Sequence, residues 1–149
     1  MFKRLILAIA ALSFLGFVDA SYLTADHYLK LPLPCTITHG CDTVLTSRYA
    51  TVGFIPVSVF GVLYYLAILL LGVYFYTSEN PSKKIIRTIF GFTCVGLIAS
   101  CYLIYLQLAV IHAICMYCMG SALITFLLFV LSLILFRAVR GGEGAATEA

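Results

Sequence analysis

A chain of 149 residues with a formal net charge of +3 has room for one domain. Hydrophobic residues make up 63% of it, charged residues 10%, and its mean hydropathy is +1.10, against roughly 45–50% apolar and about 25% charged in a soluble domain. One small core cannot hide that excess, so the chain reads as an integral membrane protein. Nine Lys and Arg against six Asp and Glu, scattered along the chain, exclude a nucleic-acid surface, and six cysteines are too sparse for a disulfide scaffold.

In chain order, the first apolar run covers residues 5–23 and carries one charge, Asp19. Lys3-Arg4 before it and Val18-Asp19-Ala20 near its end also fit a cleaved leader. Against that, apolar residues continue past Ala20 to Leu29 with no helix breaker before Pro32, which favours a retained span. Residues 53–76, 88–111 and 113–136 each form 24-residue stretches without Asp, Glu, Lys or Arg. At 1.5 Å per residue each reaches about 36 Å, enough to cross a hydrocarbon core of about 30 Å. No segment has the ten-residue alternation of a membrane barrel. The expected fold is all-α: a bundle of four transmembrane helices over residues 1–140, with an extracytoplasmic loop and a short surface helix. Residues 141–149, small and Gly-rich, are expected to be a disordered cytoplasmic tail.

Basic residues set the orientation. Lys3 and Arg4, then Lys83, Lys84 and Arg87, then Arg137 and Arg140 belong on the cytoplasmic face. Both termini are then inside, the turn 77–84 with Asn80-Pro81 is inside, and the long loop 27–52 is outside. Asp42 or Thr43 is positioned to cap a short helix through Tyr49, whose apolar Val44 and Leu45 would rest on the bilayer surface and hold Cys41 over Cys115.

The cysteines carry the chemistry. Cys35 and Cys41 fall in the outer loop, and Cys115 and Cys118 open the fourth span at the same face, on the side where disulfides persist. Cys115-Met116-Tyr117-Cys118 puts two sulfurs at i and i+3 on one helix face, within disulfide reach. The helix N-terminus there favours a thiolate; alternatively the two pack as small hydrophobes. Pro32-Leu33-Pro34 and Gly40 shape the loop so that Cys35 and Cys41 meet, which alone reads as a structural disulfide. His39 between them makes only a weak metal site, and no metal is expected. Two dithiols on one face are able to exchange by thiolate attack.

The order Cys35-x5-Cys41, then Thr43-Val44-Leu45-Thr46-Ser47-Arg48-Tyr49-Ala50, Ile55-Pro56 and finally Cys115-x-x-Cys118 resembles the vitamin K epoxide reductase family, most closely its bacterial single-domain members, over nearly the whole chain. In the DsbB-type quinone reductases the C-x-x-C precedes the second pair, whereas here it follows. The resemblance implies a thiol:quinone oxidoreductase of the bacterial inner (cytoplasmic) membrane that supports disulfide-bond formation. Cys35 and Cys41 would shuttle electrons from a thioredoxin-fold, DsbA-like partner. Cys115 would exchange with the loop through Cys41, Cys118 would face a quinone (ubiquinone or menaquinone), and Ser47 would lie near the site. Animal members carry a tyrosine one turn after the second cysteine of the C-x-x-C, where this chain has Ala122, which favours ordinary quinone reduction over the vitamin K epoxide. Since the chain ends at Ala149, the partner is expected to be a separate secreted or membrane-anchored protein.

Other residues carry weaker signals. Asp19 could serve protons or tie helices together, and His112 could assist thiolate formation or be an interfacial histidine. Cys94 and Cys101, at i and i+7, read as packing residues. A small tetraspan transporter or scaffold with one structural disulfide is the non-enzymatic alternative, and it leaves four cysteines on one face without purpose.

Overall fold

An apolar run in hydrocarbon must satisfy its own backbone polar groups, and a helix does so within one segment. The computed structural model describes residues 2–29, 40–78 and 82–147. Their elements run α1 (Phe2–Leu29), α2 (Gly40–Leu45), β1 (Thr51–Val52), β2 (Ile55–Pro56), α3 (Val57–Thr77), α4 (Lys83–Tyr105), a π-helical segment (Leu106–Ile111) and α5 (Met116–Thr147). Four helices are long and apolar enough to span a membrane: Phe2–Leu29, Val57–Thr77, Lys83–Ile111 and Met116–Arg140. The chain is a four-helix, multi-pass membrane protein, as its composition requires.

The packing follows from spacing. Along α1 the buried positions are Ile6, Ile9, Ser13, Gly16, Ala20, Leu23 and Asp26, steps of three and four that make one seam. Ser13, Gly16 and Ala20 are small, which lets a neighbouring helix come close. A side chain on Gly16 would collide with the ring of Tyr65. Ile6, Ile9, Tyr65, Ile68, Ile89 and Leu128 are centred in one core that draws on α1, α3, α4 and α5. Polar side chains join the helices inside it: the Thr93 and Ser132 hydroxyls lie 2.7 Å apart, and the Tyr65 hydroxyl donates to the Ser121 carbonyl at 2.8 Å. The outer faces expose Leu7, Leu15, Leu63, Leu70, Val95 and Ile98, as lipid-facing surfaces do.

The structure departs from the sequence reading at element ends. The first span continues to Leu29, as the apolar run beyond Ala20 suggests. The second begins at Val57 rather than at residue 53 because Thr51–Pro56 is a hairpin, with Thr51 opposite Pro56 and Val52 opposite Ile55. Gly53, at φ +67°, supplies the positive φ that a two-residue type II′ turn needs at its first position. Pro56 then forms the N-cap of α3, where its missing N–H costs nothing. The short outer helix is Gly40–Leu45, so Asp42 and Thr43 lie within it rather than capping it, and it stops well before Tyr49. Helix α5 runs to Thr147, past residue 141 where a disordered tail was expected; extending an existing helix is far easier than starting one. Asn80-Pro81, Cys35 and His39 lie outside the described residues.

Candidate active site

The site is built around the link between the π-helical segment and α5. The wider π turn at Leu106–Ile111 frees the Gln107 carbonyl from the regular ladder. It accepts the N–H groups of His112 and of Ala113, the latter at 3.1 Å. His112 takes the left-handed conformation, φ 54° and ψ 31°, and reverses the chain. The side-chain Oε1 of the same Gln107 accepts the Cys115 N–H at 3.0 Å. The Cys115 carbonyl accepts the Met119 N–H at 3.0 Å, so Cys115 stands at the N-cap of α5.

Helix α2 lies across this link. A Cβ on Gly40 would sit 2.6 Å from the Ile114 carbonyl oxygen and 2.9 Å from its nitrogen, so only glycine permits this backbone approach. The contact seats Cys41 with Cys115: both are fully buried and form one cluster with Val44, packed by Ile111, Ala113, Tyr117 and Cys118. Val44 is therefore turned into the protein rather than onto the bilayer. Cys41 is disulfide-bonded, while Cys115 and Cys118 are free thiols. Past α2, the Ser47 hydroxyl donates to the Val44 carbonyl at 2.7 Å and closes the turn.

Cys115 lies in the link, just ahead of the spanning segment. The Cys118 thiol hydrogen-bonds its sulfur, and the backbone N–H groups of Cys118 and Tyr117 aid that effect, while burial and the Asp19 carboxylate oppose it. The Cys115 thiol is held down at about 7, below the ordinary 8.5 of a free cysteine. A thiol so lowered is suited to thiol–disulfide exchange, where a low pKa also makes it the better leaving group.

Cys118 faces elsewhere. It lines a cavity of about 140 Å³, together with Leu23, Leu45, Ser47, Leu103, Gln107 and Ala122 among others. The walls come from α1, the segment after α2, α3, α4 with its π turn, and α5. They are mainly apolar with a few polar groups, the make-up of a site for a flat hydrophobic ligand.

Comparison with known proteins gives the family. The family model for the vitamin K epoxide reductase family matches residues 7–133. The chain belongs to that family. It is also similar to the thiol-disulfide oxidoreductase LTO1 of Arabidopsis thaliana, 36% identical over 124 residues, covering 77% of this chain and 32% of the relative. The chain thus spans about a third of the length of the curated relative it matches. Both findings support an oxidoreductase role on thiols, and enzymes of this family use quinone-type electron carriers in general.

Within this family framework, the sequence-predicted residues divide. Cys41, Cys115, Cys118 and Ser47 come together at one end of the bundle, and Ala122 lines the cavity. Cys35 lies outside the described residues. Asp19 reaches the C-x-x-C electrostatically, and its Oδ2 is buried with no hydrogen-bond partner among the described residues. His112 is exposed and serves the link through its backbone. Cys101 is exposed while Cys94 is half-buried, so the two do not share one packed face. Gln107 is the residue that sequence reasoning passed over; the signal was a lone amide in an apolar run, eight residues before Cys115.

Proposed function

We propose that this chain is a membrane thiol:quinone oxidoreductase that passes two electrons from a secreted or membrane-anchored thioredoxin-fold dithiol protein to a quinone, and so supports disulfide-bond formation. The single observation that carries the reading is the split of the C-x-x-C. Cys115 is buried against Cys41, and Cys118 stands in the wall of the apolar cavity.

The steps balance as thiol–disulfide exchanges. The partner's dithiol reduces the Cys35–Cys41 disulfide and becomes a disulfide itself. The reduced loop attacks the oxidised Cys115–Cys118 pair through Cys41, regenerating the loop disulfide and leaving two thiols. Those thiols give two electrons and two protons to the quinone, which leaves as hydroquinone while the Cys115–Cys118 bond reforms. Cys118 is the sulfur at the quinone, Cys115 the sulfur that exchanges, and Ser47 shapes the wall between loop and cavity. Ala122 offers the ligand a methyl group, which fits an ordinary quinone, ubiquinone or menaquinone, rather than an epoxide needing a hydroxyl donor. The positive-charge distribution supports a bacterial inner-membrane location with both termini cytoplasmic and the cysteine pairs outside.

The test uses the purified chain in detergent or lipid, with dithiothreitol as electron donor and a short-tailed ubiquinone or menaquinone as acceptor. One hydroquinone per dithiol oxidised is expected, with Cys118→Ala reduced to background and Cys101→Ala unaffected. Absence of any quinone reduction by the intact chain contradicts the proposal.

A further inference from the structure

Gln107 is 4% exposed and its amide is divided between two duties. A backbone N–H only donates, so the group 3.0 Å from the Cys115 nitrogen must be Oε1, which fixes the NH₂ end of the amide. Among the described residues that nitrogen donates to no protein acceptor, and Gln107 lines the cavity together with Cys118. A buried amide donor requires an acceptor. A quinone carbonyl is acceptor-only and lacks a donor of its own. Two other hydroxyls of the wall are already engaged: Ser47 donates to Val44, and Ser121 is paired at 2.8 Å with the Tyr65 hydroxyl.

We propose that Gln107 is a quinone-binding and positioning residue: its Nε2 donates to a carbonyl of a 1,4-quinone in the cavity while its Oε1 holds the Cys115 backbone. This rests on the quinone reading above and deepens it. Because Gln107 and Cys118 line the same cavity, a ring held at Gln107 is within that cavity with the Cys118 sulfur in its wall. One amide thus places the electron acceptor and the exchanging cysteine in a fixed relation.

Gln107→Glu separates the two duties, since a carboxylate still accepts the Cys115 N–H but has no hydrogen to donate. With the purified full-length chain, dithiothreitol and a short-tailed ubiquinone, the variant should raise the KM for quinone about tenfold at pH 8.5, the cost of losing one buried hydrogen bond. As pH falls and the introduced carboxyl takes up a proton, its O–H restores a donor. The variant's KM should then drop back toward wild type, a pH dependence that a purely structural residue does not produce. Gln107→Leu loses both hydrogen bonds, so it should raise the KM at every pH and also slow reduction of the Cys115–Cys118 disulfide by dithiothreitol. If the wild type turns over quinone and the Glu variant keeps its KM within twofold at all pH values, the assignment of Gln107 is overturned while the oxidoreductase reading stands. If the wild type reduces no quinone, both fall.

Discussion

The body of the bundle and its cysteine-bearing end are built by opposite rules. In the body, burial recurs in steps of three and four, at Ile86, Ile89, Thr93 and Gly96 on α4 and at Thr125, Leu128, Ser132 and Leu135 on α5, and the helices are regular. At the other end regularity is abandoned: α4 widens into a π turn, His112 takes a left-handed backbone, and Gly40 presses its bare Cα on Ile114. The body needs only complementary surfaces in lipid. The end must bring thiols from a loop and a helix to one place, and regular helices alone do not supply that geometry.

That contrast is open to attack from both sides. Leu128 is fully buried in the body, so Leu128→Ala should lower stability by about 2–5 kcal/mol. Unfolding in mixed micelles would measure the loss, while the thiolate titration of the folded variant should stay where it is. A changed titration would mean that body and end are not separable.

At the end, the prediction concerns ionisation. A thiol lowered to about 7 remains thiolate from high pH down to neutrality and protonates as pH falls through that value. Thiolate absorbance of the reduced protein should therefore show one cysteine with a midpoint near 7. In Cys118→Ala, which removes the largest cause, the midpoint should rise toward 8.5. An unmoved midpoint would show that the Cys118 hydrogen bond is not what lowers it.

Gly40→Ala tests the seat of α2. The added methyl cannot occupy a point 2.6 Å from the Ile114 oxygen, so Cys41 must shift away from Cys115. Electron transfer from a protein dithiol should fall about tenfold, a cost near 1.4 kcal/mol, whereas turnover with dithiothreitol should persist. The smallest effect is expected at Thr93→Val, which removes one interhelical hydrogen bond of 2.7 Å and should cost about 0.6 kcal/mol.

The body was readable from the sequence because lipid leaves few choices: apolar runs of sufficient length become helices, and the first helix reaches Leu29 because its apolar residues do. The end was readable only in part. Cysteine order and spacing brought Cys41, Cys115 and Cys118 to one region, and the family resemblance pointed to Ser47. The start of α5 at the C-x-x-C was legible, whereas the start of α3 was missed because Gly53 acts through backbone conformation inside a stretch that composition alone cannot distinguish from helix. Gln107 was missed for a related reason. Its role depends on a π turn, and the turn exists through tertiary contacts with the link that no local pattern encodes.

The central claim is that Cys115 deals with the loop and Cys118 with the cavity. Cys118 lies about 4.5 Å further along the helix than Cys115, three residues at 1.5 Å each, and it alone of the two lines the cavity. Removing it leaves Cys115 without a resolving partner. The measurement is mass spectrometry of non-reduced peptides from Cys118→Ala purified under oxidising conditions. The account predicts a trapped Cys41–Cys115 disulfide; recovery of Cys115 as a free thiol, with no loop-to-helix bond under any trapping condition, would contradict it.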